Sequence, residues 1–210
     1  RNFESHYLSK FKEFLQIESN MILFLPKELE EFVWKYRKPE NTFIKITELE
    51  DLKTNLYAPH WDNTQGIRTS KEWLNITGKN GWLTKSPQAT LEYYNPVVMS
   101  KMFMLHDASI YNNFDTEYFY WLDAGITNTV PSSHLIDNKV LDKVVDYTDN
   151  FLFLSWDYFN GDEIHGFKIE AANRFAGTEI KYVCRGGFFG GHKEAIREAN
   201  TTYYSFLQDS

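Results

Sequence analysis

A carboxylate directly follows an apolar segment in the middle of the chain. Residues 118–122 are all aromatic or aliphatic, and they lead into Asp123-Ala124-Gly125. Such a run predicts a core strand, and in open α/β sheets ligands bind at the carboxyl ends of the strands. Asp123 is therefore a candidate for binding a metal ion or a ribose hydroxyl, or for proton transfer. The alternative is that Asp123 only caps the turn that follows it.

A glycine-rich segment is the second candidate site. Residues 185–191 carry four glycines around Phe188 and Phe189, and the pattern predicts a helix directly afterwards, at residues 192–206. Glycine lets the backbone approach a ligand closely, and the N–H groups at a helix N-terminus bind anions. The alternative is a flexible hairpin whose two phenylalanines pack on the core. The segment matches neither G-x-G-x-x-G nor a Walker loop.

Lys101 lies on a predicted helix that precedes the candidate strand. The helix is expected over residues 95–110, because Asn95 is a good N-cap and Pro96 a good first helical residue. From this position the ammonium group could reach a diphosphate. The alternative is an ordinary solvated surface lysine.

Three other chemistries lack support in the sequence. The six histidines, at positions 6, 60, 106, 134, 165 and 192, form no H-x-x-x-H pair, which argues against a histidine-based zinc site. No G-x-S-x-G motif occurs, so a serine nucleophile elbow is not indicated. Cys184 lies in a predicted apolar strand, where a cysteine is expected to be inert core and not a nucleophile.

The elements that must position these residues follow an α/β pattern. An amphipathic helix is predicted over residues 3–15, a buried strand over Met21–Leu25, a helix over 26–36 and a strand over 41–46. This alternation is typical of a layered α/β domain with parallel neighbouring strands. Residues 51–92 are punctuated by glycine and proline, and we expect an irregular, mobile segment there with a helix only at 70–76.

The second half of the chain continues the same alternation. The predicted elements are strands at 117–122 and 151–156, two further short strands at 167–169 and 180–184, a helix at 137–147 and the last helix at 192–206. No internal repeat, low-complexity tract or linker interrupts them. We therefore expect one α/β domain over residues 1–210, with a central, mixed and mostly parallel sheet flanked by helices.

Length, charge and composition limit the function classes. The chain has 210 residues and a net charge of −7, and this acidic balance argues against a protein that neutralises a nucleic-acid backbone. The apolar runs are too short to span a bilayer. The single cysteine fits a reducing compartment, so we expect a cytoplasmic protein, with peripheral membrane association left open. Aromatic residues make up 17% of the chain, enough both to fill a core and to stack on sugar rings or bases.

Four segments taken together resemble a known family. They are NPVVMSK at residues 95–101, YWLDAGI at 120–126, EIHGF at 163–167 and GGFFGG at 186–191. Their order and spacing are similar to those of the HtrL/YibB (WlaTC) family, whose members are proposed glycosyltransferases. The resemblance covers about residues 1 to 208, nearly the whole chain.

The resemblance implies a GT-A-type transferase that moves a sugar from a nucleotide diphosphate donor to a glycan or lipid-linked acceptor in surface polysaccharide synthesis. It places Asp123 first in a D-x-D-like motif that binds a divalent metal, Mn²⁺ or Mg²⁺, although Gly125 replaces the last carboxylate. It also implies a nucleotide-gripping strand ahead of Arg1, so we expect that the domain lacks its first strand. The donor-binding residues expected on this basis are Arg1, Asn95, Lys101, Trp121, Gly186 and Gly187.

A catalytic base is also needed if the transfer inverts the configuration of the sugar, and three carboxylates are candidates. Of Asp157, Asp162 and Glu163 we favour Glu163, assisted by His165, to deprotonate the acceptor hydroxyl. The alternative is that these residues form a polar loop between strands. At the level of the whole chain, the alternative is a catalytically weakened, glycosyltransferase-like module that binds a carbohydrate or a partner.

Overall fold

The computed structural model describes residues 7–53, 60–79, 86–128, 130–136, 143–158, 173–174 and 177–208. The fold is a mixed α/β fold with helices and two small sheets. The chain divides into two compact units: unit 1 comprises Arg1–Asp51, Lys101–Leu152 and Gly187–Ser210, and unit 2 comprises Leu52–Ser100 and Phe153–Gly186.

Unit 1 begins with a parallel strand pair. Helix α1 (Ser9–Phe14) precedes strand β1 (Met21–Leu25), and a short 3₁₀ turn leads into helix α2 (Glu30–Trp34) before strand β2 (Thr42–Ile46). The two strands pair in parallel from Met21 opposite Thr42 to Leu25 opposite Ile46. The parallel neighbours expected from the alternation of helices and strands are confirmed here, because the connection through α2 brings β2 back in the same direction.

The second sheet has three strands in the order β3-β5-β4. Strand β3 (Tyr118–Leu122) follows the long helix α6 (Tyr94–Tyr111), and strand β4 is Phe151–Asp157. Strand β5 (Tyr182–His192) pairs with β3 in antiparallel register, Tyr118 opposite His192 and Leu122 opposite Phe188. The second sheet therefore contains an antiparallel pair, and the described strands do not form the central, mostly parallel sheet that the sequence predicted.

The glycine-rich segment belongs to β5 and is not the loop that the sequence predicted. A Cβ atom on Gly190 would overlap the carbonyl oxygen of Phe119, and one on Gly191 would overlap that of Asn150. Gly190 also adopts a φ of 153°, a conformation that residues with side chains rarely adopt. These glycines therefore allow neighbouring backbones to pack closely within the second sheet.

Unit 2 contains helices besides the one expected at 70–76, where the sequence otherwise predicted an irregular, mobile segment. Helices α3 (Trp61–Thr69), α4 (Lys71–Lys79) and α5 (Pro87–Thr90) occupy most of the described part of residues 51–92. Local contacts explain the difference: the Ser86 hydroxyl caps α5, and the ammonium group of Lys53 lies over the rings of Trp61 and Tyr93. Glycine and proline frequency alone could not reveal these contacts.

The remaining described helices agree with the sequence, apart from Ser132–Ile136, which was not predicted as a helix. Helix α6 begins at Tyr94, two residues before the expected first helical residue Pro96, so Asn95 lies in its first turn and is not its cap. Helix α7 is Ser132–Ile136, residues 143–146 are helical, and α8 (Lys193–Gln208) ends the chain. The strand expected at 167–169 lies outside the described residues. None of the described helices combines the length and apolar character that a membrane crossing requires.

Two apolar clusters form the core of unit 1. The α1 cluster joins α1, β1, α2 and α7 through eight buried residues: Phe14, Leu15, Ile17, Met21, Leu23, Leu25, Val33 and Leu135. The α6 cluster joins α6, β3, β5 and α8 through Met102, Leu105, Ala108, Phe119, Phe189 and Ile196. The two clusters cover opposite faces of β1 and β3.

A buried arginine connects the loop before β1 to β2. Arg37 is 6% exposed and donates hydrogen bonds to the carbonyl oxygens of Leu15, Ile17, Ser19 and Asn41 and to the hydroxyl of Thr42. Burial lowers the pKa of its guanidinium group. The five acceptors satisfy the buried cation in place of water.

Candidate functional site

Asp123 is placed by the end of β3 and by the turn that follows. Its backbone N–H donates to the carbonyl of Gly187 on β5 at 3.0 Å, so the antiparallel ladder extends one residue beyond the strand. Its own carbonyl accepts from the N–H of Ile126 at 2.9 Å, which starts the 3₁₀ turn Ile126–Asn128. The backbone of Asp123 therefore makes the turn, and its carboxylate is left for other partners.

Two side chains hold the carboxylate of Asp123. The ammonium nitrogen of Lys101 lies 2.8 Å from both carboxylate oxygens, and the indole nitrogen of Trp121 donates to Oδ1 at 2.6 Å. Trp121 and Asp123 are two residues apart on an extended backbone, so their side chains leave the same face of the sheet. Lys101 reaches them from α6. We name Lys101, Trp121 and Asp123 the charged triad.

The charged triad is sheltered unevenly. The side chain of Lys101 is 13% exposed and that of Asp123 is 36% exposed. The ammonium group also lies 5.9 Å from the centre of the Trp121 ring, whose other contacts include stacking on Phe189. Lys101 is thus not the solvated surface lysine of the alternative interpretation, and the carboxylate is the more accessible member of the pair.

Gly187 borders the triad from β5. A Cβ atom at this position would lie 3.8 Å from Oδ2 of Asp123 and 3.7 Å from the side chain of Ile126. A ligand at the carboxylate would therefore meet backbone at this position. The resemblance assigns Gly187 and Asp123 to one donor site, and Gly187 lies here on a strand and not in a loop.

The expected anion site at the start of the last helix does not form beside Asp123. The N–H of Lys193, the first residue of α8, donates to the carbonyl of Glu117 at 2.8 Å. Glu117 precedes β3, whereas Asp123 follows it, so the helix begins at the opposite end of the strand. The prediction failed because residues 185–191 run along β3 as a strand and carry the chain past the site.

The described residues around the triad supply one carboxylate for a metal ion. Among the residues that the structure describes, no group of three or more His, Cys, Asp or Glu side chains is arranged to hold a metal. Gly125 has no ligating side chain, and its carbonyl accepts from the amide of Asn128 at 3.0 Å. A divalent ion bound by Asp123 would need ligands beyond the described side chains, such as those of a bound substrate.

The other expected site residues fall into two groups. Asn95 on α6 and Gly186 on β5 belong to unit 2, as does the exposed Asp157 at the end of β4. The remaining expected residues, Arg1, Asp162, Glu163 and His165, lie outside the described residues, and their roles stay predictions. Cys184 is exposed on β5, so its expected core position is wrong, because most residues in that half of the strand are exposed.

A cavity of about 850 Å³ lies within unit 1 and was not predicted from the sequence. Its lining includes β1, β3 and the residues Ala124 and Gly125 that follow Asp123. Tyr120, which lines it, donates a hydrogen bond from its hydroxyl to Thr148 at 3.0 Å. Burial raises the pKa of Tyr120, and the side-chain hydrogen bond with Thr148 opposes that rise. The sequence feature that could have pointed to this cavity is that β1 and β3 are continuous apolar runs, which are typical of strands covered on both faces.

Comparison with known proteins agrees with the resemblance at the level of the family. A family model described as "Bacterial protein of unknown function (HtrL_YibB)" matches residues 1–206. The chain belongs to the HtrL_YibB family. No curated protein and no solved structure gave a match. The family description carries no activity, so the function of this HtrL_YibB protein has to be argued from the charged triad.

Proposed function

We propose that this HtrL_YibB protein is a glycosyltransferase that uses a nucleotide diphosphate sugar as donor. One observation carries the proposal: a lysine, a tryptophan and an aspartate meet at the carboxyl end of β3, with Lys101 2.8 Å from Asp123. A cation, an aromatic ring and a carboxylate at one strand end match the three parts of such a donor, which are diphosphate, base or sugar ring, and hydroxyl groups.

Lys101 would bind the diphosphate. Its ammonium group is sheltered on α6 and held by Asp123, so it is already oriented before a ligand arrives. A phosphate oxygen that approaches the accessible side of the pair gains a charge-assisted contact, and the developing charge on the leaving group is compensated by the same cation. Because the pair is neutral as a whole, the anionic donor meets no net repulsion from Asp123.

Asp123 and Gly187 would position the sugar or the ribose. The carboxylate is exposed enough to accept hydrogen bonds from hydroxyl groups, and the backbone of Gly187 lies next to it. Trp121 contributes an indole edge fixed between Asp123 and Phe189. The rigid packing of the ring means that it can guide a sugar without losing further side-chain entropy on binding.

The metal, the base and the acceptor follow from the family resemblance. A divalent ion, Mn²⁺ or Mg²⁺, would take one ligand from Asp123 and the rest from the donor phosphates. Glu163, with His165, would deprotonate the hydroxyl of a glycan or lipid-linked acceptor. A GT-A arrangement, a role in polysaccharide synthesis, a cytoplasmic location and donor contacts from Arg1, Asn95 and Gly186 belong to the same proposal.

Donor binding and turnover can be measured separately on the purified chain. We expect one member of a panel of UDP- and GDP-sugars, tested with and without Mn²⁺, to raise the melting temperature and to be hydrolysed slowly to the nucleoside diphosphate. Lys101→Met should weaken binding of that donor by roughly ten- to a hundredfold, the value of a charge-assisted contact to phosphate. Asp123→Ala should abolish both binding and hydrolysis.

Lys193→Met is the matched control. Lys193 pairs with Glu117 at 4.0 Å at the opposite end of β3, so the variant removes the same charge from the same unit. Donor binding should be unchanged in this variant. If no nucleotide sugar shifts the melting temperature, or if both lysine variants weaken binding equally, the transferase proposal fails. Binding without hydrolysis, with or without an acceptor, would instead support the weakened binding module.

A further inference from the structure

The cavity in unit 1 follows two strands along their full length. Its lining contains every residue of β1, Met21 to Leu25, and every residue of β3, Tyr118 to Leu122. Successive side chains of a strand point to opposite faces of the sheet. A cavity that lies over one face would therefore touch alternate residues. Contact with all five residues of each strand places the cavity at the edges of β1 and β3.

The two strands also share the same two core layers. From β1, Met21, Leu23 and Leu25 belong to the α1 cluster, whereas Ile22 and Phe24 pack against the α6 cluster. From β3, Leu122 packs against the α1 cluster, whereas Phe119 and Trp121 contact the α6 cluster. Both strands therefore lie in one plane between the same two helical layers. The cavity is a gap within that plane.

Each strand is paired on its other side. Among the described strands, β1 pairs with β2 and β3 pairs with β5. The Leu25 carbonyl accepts from the N–H of Thr47 beyond β2, and the N–H of Asp123 donates to β5. Because the direction of backbone groups alternates, the N–H and C=O groups of Ile22 on β1, and of Tyr120 and Leu122 on β3, are directed into the gap. Backbone groups in an apolar environment need hydrogen-bond partners.

We propose that this gap binds an extended peptide segment as an additional β-strand between β1 and β3. The segment would pair with both edges and join the two small sheets of unit 1 into one. Its chemistry follows from the surroundings: about five residues would span the gap, since a strand rises about 3.3 Å per residue. Both faces are covered by apolar clusters, so the segment would be apolar at successive positions and would carry no charge.

Peptide addition tests the proposal on the chain as it exists. The probe is a synthetic peptide with five successive valine and isoleucine residues between lysine pairs, and the readout is backbone hydrogen exchange together with a binding titration. We expect saturable binding and slower exchange of the amides in β1 and β3. A peptide of the same sequence with alternate backbone N-methyl groups should bind about tenfold more weakly or not at all, because it lacks the donors for two or more hydrogen bonds.

A pair of variants separates the strand edge from the side chains. Ile22→Pro removes an N–H that is directed into the gap, whereas Ile22→Ala shortens the same side chain and keeps that N–H. We expect the proline variant to lose peptide binding and the alanine variant to retain it. Circular dichroism and melting of both variants verify that they fold, and if the proline variant unfolds, the N-methyl comparison on the natural chain decides alone.

Three results would overturn the proposal. They are the absence of peptide binding, equal binding of the N-methylated peptide, and binding of an apolar dye or a fatty acid with no binding of either peptide. The second result would identify an apolar groove without strand pairing, and the third a small-molecule pocket. The proposal does not depend on donor binding at the charged triad, so the transferase proposal can fail while this one holds.

Discussion

The coupling between Lys101 and Asp123 can be predicted from their geometry. Two unit charges at 2.8 Å attract by about 6 kcal/mol at an effective dielectric constant of about 20, before the cost of removing them from water. That cost offsets most of the attraction, because Lys101 is 13% exposed. Exposed pairs contribute about 0–1 kcal/mol, whereas removing one partner from a buried pair costs about 3–5 kcal/mol. We expect a coupling free energy of about 1 kcal/mol.

The two single variants should also differ from each other. Asp123→Asn leaves a sheltered ammonium group without its counter-charge, and we expect a loss of about 2 kcal/mol in the free energy of unfolding. Lys101→Met leaves a carboxylate that is 36% exposed and still accepts from Trp121, so the loss should be about 1 kcal/mol. The double variant should lose about 2 kcal/mol, less than the two losses combined, because neither charge is left alone.

Urea unfolding of the natural chain and the three variants measures this double-mutant cycle. The matched cycle uses Lys193→Met and Glu117→Gln, whose charges are 4.0 Å apart and more exposed. Its coupling should be close to zero and should vanish in 1 M salt, whereas that of the triad should persist. Additive losses at Lys101 and Asp123, or equal coupling in the two cycles, would refute the reasoning that the triad is a sheltered, oriented pair.

Three further predictions concern the scaffold. Arg37→Met should destabilise unit 1 by about 3 kcal/mol or more in urea unfolding, because five acceptors, three of them in buried hydrogen bonds, lose their donor. Gly190→Ala should lower the free energy of unfolding by about 2 kcal/mol or more, since its Cβ would overlap the carbonyl of Phe119. The control Gly66→Ala, in open space on α3, should raise the free energy of unfolding by about 0.5–1 kcal/mol. Burial raises the pKa of Tyr203 from 10.0 to about 12. The neutral phenol therefore contributes about 2 kcal/mol to the free energy of unfolding, discounted for partial exposure; this contribution is complete below pH 10 and is lost as the pH rises to 12. Tyr203→Phe should flatten this part of the pH profile of the free energy of unfolding.

The strands and helices with strong local patterns were predictable from the sequence. Met21–Leu25 and Tyr118–Leu122 are apolar runs bounded by polar residues, and helix α8 has a clear amphipathic period. Helix α4 lies where a helix was expected at 70–76, whereas α3 and α5 of unit 2 were missed because they depend on tertiary and capping contacts such as those of Lys53 and Ser86. Strand β5 was assigned to a loop because glycine frequency does not show whether a backbone is mobile or closely packed.

The candidate site was predictable residue by residue but not as an arrangement. Asp123 stood out because a carboxylate follows a core strand, and Lys101 because it lies on a helix that the sequence predicts just before that strand. Their ion pair depends on how α6 packs on β3, which is a long-range contact without a local signal. The gap between β1 and β3 was hidden for the same reason: each strand looks complete in sequence, and only the packing shows which edge has a neighbour.

One turn connects the gap to the charged triad. Asp123 holds Lys101 through its carboxylate, while the next two residues, Ala124 and Gly125, line the cavity. The turn is fixed on its far side by Thr127, whose hydroxyl donates to the carbonyl of Lys10 near α1 at 3.1 Å. The backbone that positions the carboxylate is therefore supported by β5 and α1, and borders the gap on its remaining side. A strand seated in the gap would complete that support, and the position of the Asp123 carboxylate would then be set on three sides by backbone and core, as a preorganised binding site requires.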